Sequence, residues 1–145
     1  MKAAGEDGIT YLKLNQPDEE QTDQIRDLYK AAGWWSEEDE VPALVPRIVA
    51  GSYCFIVAVG EDGIIGMGRA LSDGARDAYV HDVTVAGKYR RRGIGSSIMG
   101  RIIDCLRADG ITWISLIAEP PSDLMYRKAG FKDLQRRVPM HLKIS

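Results

Sequence analysis

The sequence has few cysteines, no long apolar run and no excess of charge of one sign, and each absence excludes a class of protein. It contains 2 cysteines among 145 residues, and 19 Lys and Arg against 21 Asp and Glu leave a net charge of -2. Such a balance provides no overall basic field for nucleic acid, so any anion site must be local. No apolar stretch approaches the roughly 20 residues that cross a bilayer, so no membrane span is expected.

The two cysteines, Cys54 and Cys105, lie in apolar surroundings, and neither belongs to a CxxC pair or a Cys/His cluster. We therefore expect buried, reduced thiols and no metal site. Residues 1–7 lack the apolar core of a signal peptide, so the expected location is the cytoplasm. The length and ordinary composition fit one domain over residues 1–145.

Apolar periodicity and turn residues predict the order β-α-α-β-β-β-α-β-α-β-β. This order indicates an α/β class fold, with a mixed antiparallel and parallel sheet flanked by about four helices. The segment 78–118 should form a right-handed parallel crossover, and the apolar run 113–118 should be a strand buried on both faces. The predicted strands are 9–14, 53–59, 64–71, 78–85, 113–118, one from 131 and one over 138–144; the predicted helices are 17–33, 36–51, 93–108 and 120–130.

One segment joins a strand end, a short loop and the glycine-containing start of a helix. The first N–H groups of a helix lack intrahelical partners and, with the helix dipole, favour a pyrophosphate. Gly93 and Gly95 would let its oxygens approach the backbone. A solvated basic face and a plain glycine turn would give the same pattern. Ile98 stands where a dinucleotide loop needs a third glycine, and the Gly-Lys-Ser/Thr of a P-loop is absent. The segment reads Arg90, Arg91, Arg92, Gly93, Ile94, Gly95, Ser96.

Three motifs follow one another in the second half of the chain. They are the strand Val80-His81-Asp82-Val83-Thr84-Val85, then Arg90-x-x-Gly93-x-Gly95, then Tyr126-x-x-x-Gly130-Phe131. In this order, over about residues 64 to 131, the sequence resembles the GNAT superfamily of acyl-CoA-dependent N-acyltransferases. The resemblance implies acetyl-CoA as co-substrate and no metal.

The resemblance also implies where the donor binds. The strand before the glycine segment would splay from the strand after it, and the pantetheine arm would pair with Val83, Thr84 and Val85 in the gap. The backbone amides of residues 91–96 would hold the pyrophosphate, with charge added by the three arginines, Arg90, Arg91 and Arg92.

Residues for the chemistry are implied in the same way. The Val83 N–H would bind the oxyanion, and Tyr126 would protonate the leaving thiolate, although Tyr126 could instead only pack the short helix. Either His81 or Asp82 would serve as base or orient the amine, and some family members need no dedicated base. Strand alternation should send His81 and Asp82 to opposite faces. His81 could also be a plain surface residue.

The acceptor site is expected near the loop between the first two helices. Trp34 and Trp35 in this loop either line the ligand or plug the core. Tyr79 shares a face with His81 and would line the same pocket. Glu119 stands where many family members have asparagine; because ionised glutamate cannot donate to a pantetheine carbonyl, it contacts the amine or faces solvent. The acidic run 37–40 could attract a cationic amine or be solvated.

The expected activity is transfer of an acetyl group from acetyl-CoA to a primary amine, with a small molecule favoured over a protein or peptide. A different class of function, a non-catalytic acyl-CoA-binding sensor or scaffold, would keep the binding segment without the chemistry. Nucleic-acid binding through Arg90–Arg92 is disfavoured by the acidic net charge. An exposed edge at the C-terminal strands could pair in a homodimer.

Overall fold

The computed structural model describes residues 7–39 and 41–144; residues 1–6 of the chain start and Glu40 of the acidic run lie outside this part. Five strands form one sheet in the order β1-β2-β3-β4-β5, antiparallel except for the parallel pair β4–β5. The predicted mixed sheet with helices is confirmed. The elements are β1 Thr10–Lys13, α1 Glu19–Ala31, α2 Leu44–Gly51, β2 Cys54–Gly60, β3 Gly63–Ser72, β4 Asp77–Val85, α3 Ile94–Ala108, β5 Trp113–Ser115 and α4 Asp123–Lys128.

The sheet separates two hydrophobic cores. Along β2, Cys54, Ile56 and Ala58 belong to the core formed with α3, whereas Phe55 and Val57 belong to the core formed with α1 and α2. The strand is a continuous apolar run because both of its faces are covered. The predicted central sheet with helices on its faces is therefore confirmed. Within residues 7–39 and 41–144, no helix is both long and apolar enough to cross a membrane.

The second predicted helix is shorter than expected. Instead of a helix over 36–51, a 3-10 turn covers Glu37–Asp39, and α2 begins only at Leu44. The two prolines explain the break, because neither Pro42 nor Pro46 can donate a helical hydrogen bond. Pro46 falls in the first turn of α2, where no such bond is needed.

The C-terminal strands were predicted wrongly in two respects. β5 ends at Ser115 instead of residue 118, and it is not buried on both faces, since Trp113 is 54% and Ile117 59% exposed. It is an edge strand that pairs with β4 alone. The two strands expected from residue 131 are not formed within residues 131–144. Neither segment pairs with a sheet edge there, and a strand that is not part of a sheet with a buried face is not stable by itself.

Both cysteines are free, as predicted. Cys54 is buried and Cys105 is half-buried against the same core. Burial is the main cause that raises the pKa of the Cys54 thiol to about 12, and Cys105 beside it adds to the rise. A thiol held protonated is a poor nucleophile, so Cys54 has a packing role.

Candidate functional site

β4 and β5 run together for only a short distance. Asp77 pairs with Trp113, Ala78 with Ile114 and Tyr79 with Ser115, and there the pairing ends. β4 continues to Val85 while still paired on its other edge with β3. Residues 80–85 therefore turn one strand edge towards a gap, which is the splay that the family resemblance implies.

A β-bulge interrupts β4 at its middle. Thr84 lies opposite Met67 and His81 opposite Arg69, so two residues of β4, Asp82 and Val83, face Gly68 alone. Asp82 has a φ of +59°, a left-handed conformation that aspartate tolerates better than most residues. The bulge breaks the alternation, so the expectation that His81 and Asp82 take opposite faces is wrong. Both side chains contact Arg69.

The Asp82 carboxylate lies at the centre of a polar network. Its Oδ2 accepts from the Tyr29 hydroxyl at 2.7 Å and from Arg69 Nε at 2.7 Å, and its Oδ1 lies 3.2 Å from His81 Nδ1. The Arg69 and Asp82 side chains are only 13% and 10% exposed. Burial raises the pKa of the Tyr29 phenol, and the nearby carboxylate raises it further, so Tyr29 remains a donor. Asp82 is thus occupied by partners from α1, β3 and its own strand.

Sequence reasoning did not identify Arg69 and Tyr29 as site residues. Tyr29 looks like one more member of the apolar stripe of α1, and nothing local distinguishes it. Arg69 did carry a signal, because it is the one charged residue of the apolar strand β3. A guanidinium in such a strand needs a buried anion as partner.

Aromatic side chains surround this network. The Tyr79 and His81 rings lie 5.6 Å apart, so the structure brings these two predicted residues together. Trp35 stacks on Tyr29 at 4.0 Å and packs against the core under α1. Of the two tryptophans, Trp35 is therefore the one with a core-packing role. Trp34 meets Tyr29 edge-on at 6.2 Å and remains 39% exposed. Tyr29 therefore connects the tryptophan loop to Asp82.

The start of α3 forms an open, basic end of the gap. Gly93 is its N-cap with a φ of +78°, and a Cβ there would meet nothing within 4 Å. Glycine favours this left-handed conformation, and the absence of a side chain leaves the space beside the first turn of α3 open. The Ser97 N–H donates to the Gly93 carbonyl at 3.0 Å. The N–H groups of residues 94–96 precede that bond and have no acceptor one turn back.

Gly95 has a different reason to be glycine. A Cβ there would lie 2.8 Å from the Met125 sulfur, so its bare face contacts α4. The expectation was that the absence of a Cβ lets phosphate oxygens approach the backbone. This reason for glycine suits Gly93 and does not suit Gly95. Close packing at Gly95 holds α4, and with it Tyr126, against the start of α3.

The three arginines differ in their surroundings. Arg90 Nε donates to the Val85 carbonyl at 3.2 Å, which ties the loop to the end of β4. The Arg92 guanidinium lies 5.6 Å from the Tyr89 ring centroid. Arg91 has a φ of +63°, and within the described part of the chain its side chain has no hydrogen bond or ion pair. Asp62 of the β2–β3 turn steadies the loop through Tyr89 and Lys88.

Tyr126 and Glu119 are in contrasting positions. Tyr126 is buried against the α3 core, its ring meets Phe131 edge-on at 6.0 Å, and burial raises the pKa of its phenol. Glu119 is exposed, and its backbone carbonyl accepts from the Ser122 N–H at 2.8 Å. Tyr126 also lines a cavity of about 830 Å³ formed by β5, α4 and the segment after α4.

Comparison with known proteins agrees with this arrangement. The family model of the acetyltransferase (GNAT) domain matches residues 51–133. The chain belongs to the GNAT acetyltransferase family. The family consists of acetyltransferases, and a predicted acetyltransferase from Clostridium acetobutylicum with the same fold was solved with acetyl-CoA.

Individual GNAT relatives align with part of the chain. An uncharacterised N-acetyltransferase, ycf52 of Porphyra purpurea, is 37% identical over 68 residues, covering 47% of this chain and 39% of that protein. Serotonin N-acetyltransferase 2, chloroplastic, of Oryza sativa subsp. japonica is 37% identical over 67 residues, 46% of this chain and 34% of that protein. The aligned part is thus well under half the length of these relatives. A probable acetyltransferase from Staphylococcus aureus has the same fold, with a TM-score of 0.79, 23% identity, and coverage of 94% of this chain and 99% of its own.

The GNAT domain therefore presents two groups of residues. One comprises His81, Asp82 and Tyr79, joined by Arg69 and Tyr29; the other is the start of α3 with its arginines. No three His, Cys, Asp or Glu side chains of residues 7–39 and 41–144 lie close enough together to hold a metal ion.

Proposed function

We propose that this GNAT domain transfers the acetyl group of acetyl-CoA to the primary amine of a small molecule, by direct attack within a ternary complex. One observation carries the proposal: β4 leaves β5 after Tyr79 and runs on to the open start of α3. The unpaired edge of residues 80–85 can pair with an extended pantetheine arm, for which Val83, Thr84 and Val85 supply the backbone groups.

The pyrophosphate belongs at the other end of the gap. The N–H groups of residues 94–96 have no acceptor one turn back, and Gly93 leaves their approach open. The residues proposed to bind acetyl-CoA are thus the predicted ones, with Gly95 acting through its contact with α4. The single-domain division over residues 1–145 is part of the proposal. A cytoplasmic location stays a prediction, since the rice relative is named as chloroplastic.

The proposed base is His81, with Asp82 as a positioning residue. The imidazole is half-exposed, so its Nε2 can reach a substrate, while Nδ1 lies 3.2 Å from the Asp82 carboxylate. Arg69 Nη2, which can only donate, lies 3.3 Å from the same Nδ1. The proposal therefore takes the tautomer in which Nδ1–H donates to Asp82, because only this tautomer leaves the Nε2 lone pair free to accept a proton. Because Tyr29 and Arg69 already hold Asp82, the carboxylate is better suited to orienting the ring than to taking the proton itself.

The proposed transfer has three steps. The amine gives a proton to His81 Nε2, and its nitrogen forms a bond to the thioester carbon. The oxyanion accepts a hydrogen bond from the Val83 N–H. The carbon–sulfur bond breaks, and Tyr126 Oη gives its proton to the departing thiolate. Since burial raises the Tyr126 pKa, the phenol is protonated before the reaction. Solvent restores both groups.

The acceptor is proposed to be a small amine with an aromatic or apolar body. Trp34, Tyr79 and His81 offer ring surfaces near the base. The Asp82 carboxylate has its own partners, so it offers little to a second cationic group. The name of the rice relative specifies serotonin, a primary alkyl amine with an aromatic body.

A panel of acceptors tests the proposal. CoA release is followed with a thiol reagent, and the acetylated product by mass spectrometry, for aryl-alkyl amines, aliphatic diamines and a lysine peptide. We expect kcat/KM for the aryl-alkyl amines to exceed that for the peptide about tenfold or more, because one ring contact contributes about 1.4 kcal/mol. Initial rates should give intersecting double-reciprocal lines. Bound acetyl-CoA with no amine-dependent CoA release would instead indicate a non-catalytic module, and a faster peptide would indicate a protein acetyltransferase.

A further inference from the structure

The two oxygens of the Asp82 carboxylate have different partners. Oδ2 accepts hydrogen bonds from the Tyr29 hydroxyl and from Arg69 Nε, each at 2.7 Å. Oδ1 lies 3.2 Å from His81 Nδ1. The Arg69 and Asp82 side chains are 13% and 10% exposed, so little water competes for these contacts. The two donors on Oδ2 therefore fix the rotation of the carboxylate and direct Oδ1 at the imidazole.

Arg69 binds Asp82 with one nitrogen of its guanidinium. A guanidinium beside a carboxylate commonly forms two parallel hydrogen bonds, one to each oxygen. Here Nε donates to Oδ2, whereas Nη2 lies 3.3 Å from His81 Nδ1 and Nη1 lies 3.5 Å from Ser52 Oγ. The Tyr29 hydroxyl shares Oδ2 with Nε. A guanidinium that bound both carboxylate oxygens would take Oδ1 away from His81.

His81 Nδ1 lies between an acceptor and a donor. Asp82 Oδ1 favours the tautomer in which Nδ1 carries the proton, whereas Arg69 Nη2 favours the tautomer in which Nδ1 has the lone pair. In the first tautomer Nε2 can accept a proton from a substrate, and in the second Nε2 already carries one. The orientation of the Asp82 carboxylate thus decides whether His81 can act as a base.

We propose that Tyr29 is a positioning residue that selects the Nδ1–H tautomer of His81, because its hydroxyl holds Asp82 Oδ2 and prevents Arg69 from binding both carboxylate oxygens. This role rests on the proposed function of His81 as the base, and it adds a residue of α1 to a site built on β3 and β4. Burial raises the pKa of the Tyr29 phenol, so the hydroxyl remains a donor.

The tryptophan loop holds the Tyr29 ring in place. Trp35 stacks on the ring at 4.0 Å with the planes 6° apart, and Trp34 meets it edge-on at 6.2 Å. The backbone N–H groups of Trp34 and Trp35 donate to the Tyr29 carbonyl at 3.2 and 3.3 Å. Tyr29 is 1% exposed, so its hydroxyl has little freedom to leave Asp82. The loop proposed to line the acceptor therefore also positions the base.

Heteronuclear NMR of the imidazole nitrogens measures the tautomer directly. The chain has 2 histidines, so His141→Gln assigns both sets of signals, and the exposed His141 is an internal reference. In mildly alkaline solution, where imidazole is neutral, we expect wild-type His81 to carry its proton on Nδ1. In Tyr29→Phe, which keeps the ring that stacks on Trp35, the proton should move to Nε2. The kcat should fall about tenfold, as for loss of one hydrogen bond to a charged group, with KM for acetyl-CoA unchanged.

The double variant Tyr29→Phe/Arg69→Lys tests the cause of this change. Lysine keeps the positive charge beside Asp82, but its ammonium lacks the planar fork that binds two carboxylate oxygens in parallel. Oδ1 should then remain available to His81 without the Tyr29 hydroxyl. We therefore expect the double variant to regain the Nδ1–H tautomer that Tyr29→Phe loses.

Three results would overturn the proposal. They are a wild-type His81 that carries its proton on Nε2, a folded Tyr29→Phe that keeps the wild-type tautomer, and a folded double variant that keeps the proton on Nε2. The first measurement needs no variant, so the proposal is tested even if Tyr29→Phe does not fold. A change of tautomer in Tyr29→Phe without a loss of kcat would support the positioning role and count against His81 as the base.

Discussion

Tyr126→Phe should lower kcat for acetyl transfer about 100-fold or more while leaving the affinity for acetyl-CoA nearly unchanged. General acid catalysis typically contributes 10²–10⁴-fold, and the substitution removes only the proton donor. The ring itself should stay in place, since Phe keeps the burial and the edge-on contact with Phe131. In the wild type, activity should fall as pH rises through the Tyr126 pKa, which burial places above its usual value. This alkaline limb should be absent from the variant.

Tyr53→Phe is the matched control for this prediction. The Tyr53 hydroxyl donates to Asp109 at 2.6 Å, just beyond the C-terminal end of α3. The glycine segment lies at the other end of this 15-residue helix, about 22 Å away. We expect kcat within about twofold of the wild type, because no proposed catalytic group is touched. Normal turnover of Tyr126→Phe would remove Tyr126 as the acid and leave it a packing residue.

Gly93→Asp should weaken acetyl-CoA binding about 100-fold or more. The new side chain would enter the open space where the pyrophosphate is proposed to lie, since nothing is found within 4 Å of a Cβ at this position. Placing like charges together costs several kcal/mol, and each 1.4 kcal/mol is tenfold in affinity. The same openness means that the folded chain can accommodate the substitution. Isothermal titration of acetyl-CoA measures the change.

Gly93→Asn separates charge from shape. Asn and Asp are similar in size, and both tolerate the left-handed conformation that Gly93 adopts at a φ of +78°. Their stability losses should therefore be alike, at about 1–2 kcal/mol. We expect the Asn variant to lose about tenfold less affinity than the Asp variant. Equal affinity for both would show that no anion lies beside Gly93.

Local signals were enough to predict the element order up to α4. The Asp62-Gly63 turn and the glycines before α3 are such signals, and each acts within a few residues. The glycine segment was likewise visible from the sequence, because a helix start carries its own anion preference. The match to the GNAT family model, over residues 51–133, includes this segment.

The rest depended on contacts between distant parts of the chain. The bulge at Asp82 is supported by Arg69 on β3 and Tyr29 on α1, so strand alternation alone could not reveal it. The apolar pattern of residues 138–144 predicts a strand, but a pattern does not say which edge that strand will find. In the structure these apolar side chains are exposed.

Acetyl-CoA is proposed to lie in the gap between β4 and β5, with its pyrophosphate at the start of α3. Backbone amide shifts followed by NMR during a titration with acetyl-CoA test this placement directly. We expect the largest shift changes at residues 83–85 and 91–96, and the titration curves of these amides should all fit one dissociation constant. Saturable binding that leaves these amide shifts unchanged, and changes those of residues 130–134 after α4 instead, would contradict it.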